Sequence, residues 1–118
     1  MSPVIRIQSP EDKFNLVLSK LEKAFGDKDK GGIMDEDGFS FDFGVPGAEN
    51  TRSLSVQVGI LDEEKDRGYI QCYLYDEKFE AIEEKDISFE SAEEFKKGAT
   101  SALRFLKSMA KKVKEGKR

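Results

Sequence analysis

The sequence contains no histidine, no tryptophan and a single cysteine, Cys72. The lack of histidine excludes His-based catalytic triads and ordinary zinc sites, and a lone cysteine excludes a disulfide scaffold. No apolar run approaches the roughly 18 residues that a membrane-spanning helix needs, and the first residues lack the apolar stretch of a secretory signal. We therefore expect a cytoplasmic protein with no membrane segment and no metal site.

The length of 118 residues and the mass of 13.3 kDa fit one domain with a real core. Nine phenylalanines and three tyrosines argue against disorder, because disordered chains are poor in aromatic residues. We predict a single α+β domain over residues 1–106, followed by a basic C-terminal helix end or tail over residues 107–118.

Two segments carry the signals of helices. At residues 9–12, a serine that can cap, a proline and two acidic residues predict the start of a helix that spans residues 10–25. Ser91 and Glu94 form a capping-box pattern, and small and apolar residues at helical spacing continue as far as Val113. The chain therefore begins with one helix and ends with a longer one.

Between the helices, apolar and polar residues alternate with the period of β-strands. The alternation is clear over residues 39–43, 54–60 and 69–75 and weaker over residues 79–84, and residues 4–7 predict a short strand or an extended lead-in. One apolar and one wetter face are typical of antiparallel sheets. We predict a three- to four-stranded antiparallel sheet with both helices on one face.

No residue pattern indicates catalysis or a cofactor. Acidic residues are frequent, but they lie in charge-rich runs such as the hairpin connection 62–68, which we expect to be wet turns without perturbed pKa values. Asp42 alternates to the side opposite the phenylalanines, and Cys72 lies on the apolar side, where a free cysteine acts as a small hydrophobic residue. We expect no catalytic residues and no enzymatic activity.

The segment 27–38 is predicted to be a loop with a small turn near Ile33. It resembles a calcium-binding EF-hand loop at four positions, but Gly38 stands where that motif needs a bidentate glutamate. The two lysines that alternate with the matching aspartates would also repel a cation. We therefore predict a polar loop without a metal; the four matching residues are Asp27, Asp29, Gly32 and Asp35.

The side of the sheet opposite the helices is the strongest candidate for a binding surface. Tyrosines offer a large contact area with a polar end, although tyrosine is also a common residue on ordinary exposed strands. We predict a non-enzymatic protein-binding module, chaperone-, inhibitor- or immunity-like, that uses this face, a sheet edge or the acidic segment 76–94. The predicted partner-binding residues are Tyr69, Gln71, Tyr73, Tyr75, Gln57 and Asp42.

Charge is distributed unevenly along the chain. Residues 1–90 hold 21 acidic and 11 basic side chains, whereas residues 91–118 hold 3 acidic and 9 basic ones. The two ends could meet different partners, the tail could fold back onto the segment 76–94, or the charges could simply be solvated. The basic residues of the last twelve positions are Lys107, Lys111, Lys112, Lys114, Lys117 and Arg118.

These features leave three interpretations of function. The first is capture of another protein, for which an acidic body favours a basic partner. The second is binding of single-stranded nucleic acid, with tyrosines stacking on bases and the basic tail contacting phosphates. The third is a structural homodimer whose interface uses the tyrosines.

The order helix, strands, helix resembles that of double-stranded RNA-binding domains and of the small Alu-binding proteins of the signal recognition particle. A double-stranded RNA-binding domain opens its last helix with lysines, whereas residues 91–94 of this chain read Ser-Ala-Glu-Glu. The resemblance therefore extends to topology alone and assigns no family.

Overall fold

A computed structural model describes residues 9–26 and 30–116 of the chain. The predictions made for residues 4–7 and for Asp27, Asp29, Lys117 and Arg118 lie outside these residues.

In the described part of the chain, two helices and five strands form one α+β domain. The helices are α1 (Pro10–Phe25) and α2 (Ala92–Lys114); the strands are β1 (Ile33–Asp35), β2 (Gly38–Gly44), β3 (Ser53–Asp62), β4 (Arg67–Tyr75) and β5 (Ala81–Phe89). The strands follow chain order in one antiparallel sheet, β1-β2-β3-β4-β5. The predicted fold is confirmed, with five strands rather than three or four. Neither helix is long and apolar enough to cross a membrane.

Strand β1 shows that the loop predicted over residues 27–38 is wrong for Ile33–Asp35. Ile33–Asp35 pairs with the start of β2, and the Asp35 carboxylate accepts a hydrogen bond of 2.8 Å from the Asp37 amide in the turn between them. All three residues of β1 are exposed. A three-residue strand with no buried side has no alternating pattern, which explains why the sequence indicated a loop here.

The last strand corrects the predicted bounds of the fourth strand. It begins at Ala81 rather than Phe79 and continues to Phe89, paired along its length with β4. Because β5 is an edge strand, six of its nine residues are exposed, and its four charged residues are divided between its two sides. That exposure removes the alternation on which a prediction from sequence depends.

Both helix starts form as the sequence predicted. The Ser9 hydroxyl accepts a hydrogen bond from the Asp12 amide, and the Ser91 hydroxyl accepts one from the Glu94 amide, each at 3.0 Å. Helix α1 ends at Gly26, whose carbonyl accepts a 3.0 Å hydrogen bond from the Lys30 ammonium group. These caps fix the ends of the two elements that cover the sheet.

The core lies between the two helices and one face of the sheet. The ring of Phe14 in α1 packs 4.7 Å from that of Phe41 in β2, so α1 covers the β2 side. Helix α2 crosses β4 and β5 at Gly98, where an added Cβ would lie 3.1 Å from both Ile70 and Ile87. This small residue therefore lets α2 approach the sheet closely, and no helix of the described residues covers the other face of the sheet.

A buried ion pair joins α1 to the β3–β4 hairpin. The Lys13 ammonium group lies 2.5 Å from an Asp66 carboxylate oxygen, and the two side chains are 0% and 4% exposed. The same ammonium group lies 5.7 Å from the centre of the Phe95 ring in α2. The expectation that carboxylates of charge-rich runs are solvated is therefore wrong for Asp66, because α1 packs over this turn.

Candidate functional site

Strand register places all six predicted partner-binding residues on the side of the sheet that no described helix covers, which we call the open face. Three cross-strand rows from β2 to β5 define it: Asp42, Ser55, Tyr73 and Glu84; Ser40, Gln57, Gln71 and Asp86; and Gly38, Gly59, Tyr69 and Ser88. Tyr75 follows on β4, opposite Ser53. The predicted residues therefore share one continuous surface of about four strands.

Two tyrosines on the open face stack on each other. The ring centres of Tyr73 and Tyr75 lie 5.5 Å apart with 21° between the planes, and both residues are half-buried. Ser55, between Asp42 and Tyr73 in its row, is 0% exposed, and its hydroxyl has no hydrogen-bond partner among the described residues. This part of the surface is drier than the sequence predicted.

Carboxylates surround the tyrosines and make the open face acidic. Burial raises the pKa of Tyr73, and the negative charges of Asp86 and Glu84 raise it further. Burial also raises the pKa of Tyr75, with smaller contributions from Tyr73 and from the charge of Asp42. Both hydroxyls therefore stay protonated and can donate hydrogen bonds, in a field that attracts cations and repels phosphates.

Basic residues are scarce on this side of the sheet. Of the two basic residues within the five strands, Lys85 pairs with Cys72 and so belongs to the helix-covered side. Arg67 stands at the start of β4, at the hairpin end of the face. The central rows thus contain carboxylates with no cation among them.

A recess of about 300 Å³ opens at one end of the open face. Asp35 and Asp37 lie along it, and Tyr69, Gly38 and Gly59 form part of its lining. A Cβ at Gly59 would lie only 2.1 Å from the Tyr69 ring, so the ring rests directly on this glycine. Two carboxylates beside an aromatic ring suit a lysine or arginine side chain. Sequence reasoning missed the two aspartates, because their place in a presumed loop concealed them.

The other two predicted binding elements are less suited to capture. One edge strand, β1, has only three residues, and the other, β5, has four consecutive charged residues, Glu83–Asp86. A short edge and a charged edge both disfavour the addition of a further strand. The acidic segment 76–94 divides among a turn, β5 and the start of α2. Its charges therefore do not form one surface.

The turn before β5 is ordered by Asp76. Its carboxylate accepts hydrogen bonds from the amides of Lys78, at 2.8 Å, and Glu80, at 3.0 Å. The hydrogen bond from the Glu80 amide is the largest cause that lowers the pKa of the Asp76 carboxyl, and the bond from the Lys78 amide lowers it further. They hold Phe79 at a φ of +61°, with its ring exposed at the tip of the hairpin.

The described basic residues near the C-terminus lie on the opposite side of the sheet from the tyrosines. Lys107, Lys111, Lys112 and Lys114 belong to α2, which runs without interruption to Lys114. Helix α2 packs on the core side, whereas Tyr73 and its neighbours face away from it. A strand of nucleic acid that stacks on the tyrosines would therefore meet carboxylates rather than these lysines.

Cys72 is fully buried, and burial raises the pKa of its thiol to about 12. Within residues 9–26 and 30–116, no three His, Cys, Asp or Glu side chains lie close enough together to hold a metal ion.

The raised pKa of Cys72 predicts a loss of stability at alkaline pH. Above pH 9.0, the ordinary pKa of this group, the thiol ionises in the unfolded chain but stays protonated in the folded one up to about pH 12. Stability should therefore fall as pH rises through this window, by at most about 1.4 kcal/mol per pH unit from this residue. Urea unfolding at pH 7, 9 and 10 should show that the advantage of the wild type over Cys72→Ala shrinks with pH. A constant difference would contradict this assignment.

The chain matches no family model, no curated protein and no solved structure.

Proposed function

We propose that this protein is a non-enzymatic binding module that captures a basic segment of another protein on its open face. One observation carries the proposal: a sheet face that no described helix covers combines three tyrosines with the carboxylates of Asp42, Glu84 and Asp86. Chaperone, inhibitor and immunity roles are concrete forms of such capture.

The tyrosines supply contact area at small entropic cost. Tyr73 and Tyr75 are stacked and half-buried already, so little of their rotamer freedom remains to be lost on binding. Their hydroxyls supply hydrogen bonds at the rim of an otherwise apolar contact. This part of the open face is suited to act as the energetic centre of an interface.

The carboxylates supply the choice of partner. Asp42, Glu84 and Asp86 surround the tyrosine stack, and Asp35 and Asp37 line the recess beyond Tyr69. Complementary charge speeds encounter and disfavours acidic partners. A lysine or arginine of the partner would occupy the recess, with its charge near the carboxylates and its stem against the Tyr69 ring.

A homodimer through the same face is less favourable. In a two-fold dimer the same patch meets itself, so the carboxylates of one copy would face those of the other. Like charges across an interface destabilise it. A strictly monomeric mass at micromolar concentration would agree with capture of a different protein.

Site-specific photo-crosslinking in cells tests the proposal. A photoreactive amino acid at position Gln71, at the centre of the open face, should form an adduct with one defined protein. The same amino acid at Ser108, on the exposed side of α2, is the matched control and should not form that adduct. Absence of an adduct specific to position 71 would contradict capture on the open face.

The identified partner should then lose affinity when the open face is changed. Truncation of Tyr69, Tyr73 and Tyr75 together to alanine should weaken binding by about 30-fold or more, as expected for aromatic interface anchors. Glu84→Lys with Asp86→Lys changes only exposed side chains and should weaken binding of a basic partner about tenfold. Unchanged affinity in both folded variants, measured by calorimetry, would remove this surface from consideration.

A further inference from the structure

A groove separates the two helices on the side of the domain remote from the open face. One part, of about 330 Å³, lies between Lys20–Ala24 of α1 and Thr100–Lys107 of α2. A second part, of about 590 Å³, continues between Phe25 and the end of α2 as far as the Pro46–Gly47 turn. Ala24 and Lys107 line both parts, so the two form one continuous groove, which we call the helix groove.

Cations line the helix groove, and the described residues supply them with no anionic partners. In the described part of the chain, none of the six forms an ion pair within 4.0 Å or a side-chain hydrogen bond. Cations that line one groove give it a positive potential, so an anionic ligand would be attracted to it. The six residues are Lys20, Lys23, Arg104, Lys107, Lys111 and Lys114.

The helix dipoles account for only part of this charge. Lys23, Lys111 and Lys114 lie in the last turns of their helices, where a cation stabilises the C-terminal end. Lys20, Arg104 and Lys107 lie further upstream, beyond the range of that effect. Half of the cations therefore have no role in capping the helices.

The apolar lining of the groove selects among anionic ligands. Ala24, Leu103, Phe25 and Ala110 lie among the cations, and Phe25 is the single aromatic residue of the lining, whereas proteins that bind single strands offer a series of rings on which successive bases stack. Apolar residues flanked by cations complement a segment that has apolar residues on one side and carboxylates beside them. From Thr100 to Lys114 the groove follows α2 for about 21 Å, the length of about four helical turns.

We propose that the helix groove binds an acidic amphipathic helix of a partner protein. Its apolar side would lie against Ala24, Leu103 and Ala110, and its carboxylates would pair with the flanking lysines and Arg104. The groove and the open face lie on opposite sides of the sheet, so this proposal does not depend on the function proposed for the open face. The two surfaces together would let the domain hold a basic and an acidic protein segment at once.

A synthetic peptide of about 15 residues provides the probe. It carries leucine and phenylalanine at positions i, i+3, i+4 and i+7 and glutamate elsewhere; a shuffled peptide of the same composition lacks the apolar stripe. On the full chain, the patterned peptide should shift the amide resonances of Ala24, Leu103 and Ala110. It should bind at least about tenfold more tightly than the shuffled peptide and keep part of its affinity at high salt. Equal binding of the two peptides, or complete loss with salt, would overturn the proposal.

Charge reversal in the groove is compared with charge reversal elsewhere on α2. The double variant Arg104→Glu with Lys107→Glu should weaken peptide binding at least about tenfold. The double variant Lys96→Glu with Lys97→Glu makes the same change of net charge outside the groove and should have little effect on peptide binding. Equal losses in the two variants would indicate attraction by net charge alone and contradict a specific site. Tighter binding of an oligothymidine or of phosphatidylserine vesicles than of the peptide would also contradict it.

Discussion

Replacement of Lys13 by methionine should lower the free energy of unfolding by about 3–5 kcal/mol. Methionine preserves most of the side-chain length and packing, but the Asp66 carboxylate then remains buried without the ammonium group. An uncompensated buried charge costs far more than the net contribution of the intact pair. Equilibrium urea unfolding followed by circular dichroism measures the loss.

Two comparison variants separate charge from packing. The double variant Lys13→Met with Asp66→Asn removes both charges and should recover a substantial part of the lost free energy of unfolding. Asparagine also tolerates the φ of +50° at position 66. Lys97→Met breaks an exposed pair with Glu93 on α2 and should leave stability essentially unchanged. If Lys13→Met cost less than about 1 kcal/mol, the pair would not be dry in solution.

Gly68→Ala should destabilise the domain by about 3 kcal/mol. At this position a Cβ would lie 2.0 Å from the Gly59 carbonyl oxygen and 2.8 Å from the Phe89 ring. A backbone carbonyl within a paired strand cannot move aside without breaking the register of β3 and β4, so the clash must distort the sheet. The midpoint of urea unfolding should therefore fall sharply.

Gly59→Ala is the matched control for this effect. Its Cβ would meet the far end of the Tyr69 side chain, which can rotate away, rather than backbone. We expect a much smaller loss of stability than for Gly68→Ala, together with altered fluorescence and resonances of Tyr69. Equal destabilisation by the two substitutions would show that Tyr69 is held as rigidly as the strand backbone.

The two proposed surfaces lie on opposite sides of the sheet and carry opposite charge. The open face has carboxylates in its central rows, whereas the helix groove has six cations without anionic partners in the described residues. The net charge of −4 conceals this division. Binding experiments with charged probes should therefore be interpreted surface by surface.

The sequence by itself determined the helices, the central strands and the composition of the open face. Ser9 and Ser91 cap helices through local hydrogen bonds, and alternation along β3 and β4 assigns each side chain to one face whatever surrounds it. These features depend on contacts between residues close in the chain. They could be predicted for that reason.

The tertiary structure alone decided which polar residues are buried and which charges meet. Asp66 stands in a run of charges that any local rule places in water, and it is buried because α1, about fifty residues away in the chain, brings Lys13 onto it. Lys20 and Arg104 likewise become neighbours across the groove only when both helices pack on the same side of the sheet. Burial and the electrostatic field depend on residues distant in sequence, so local patterns cannot specify them.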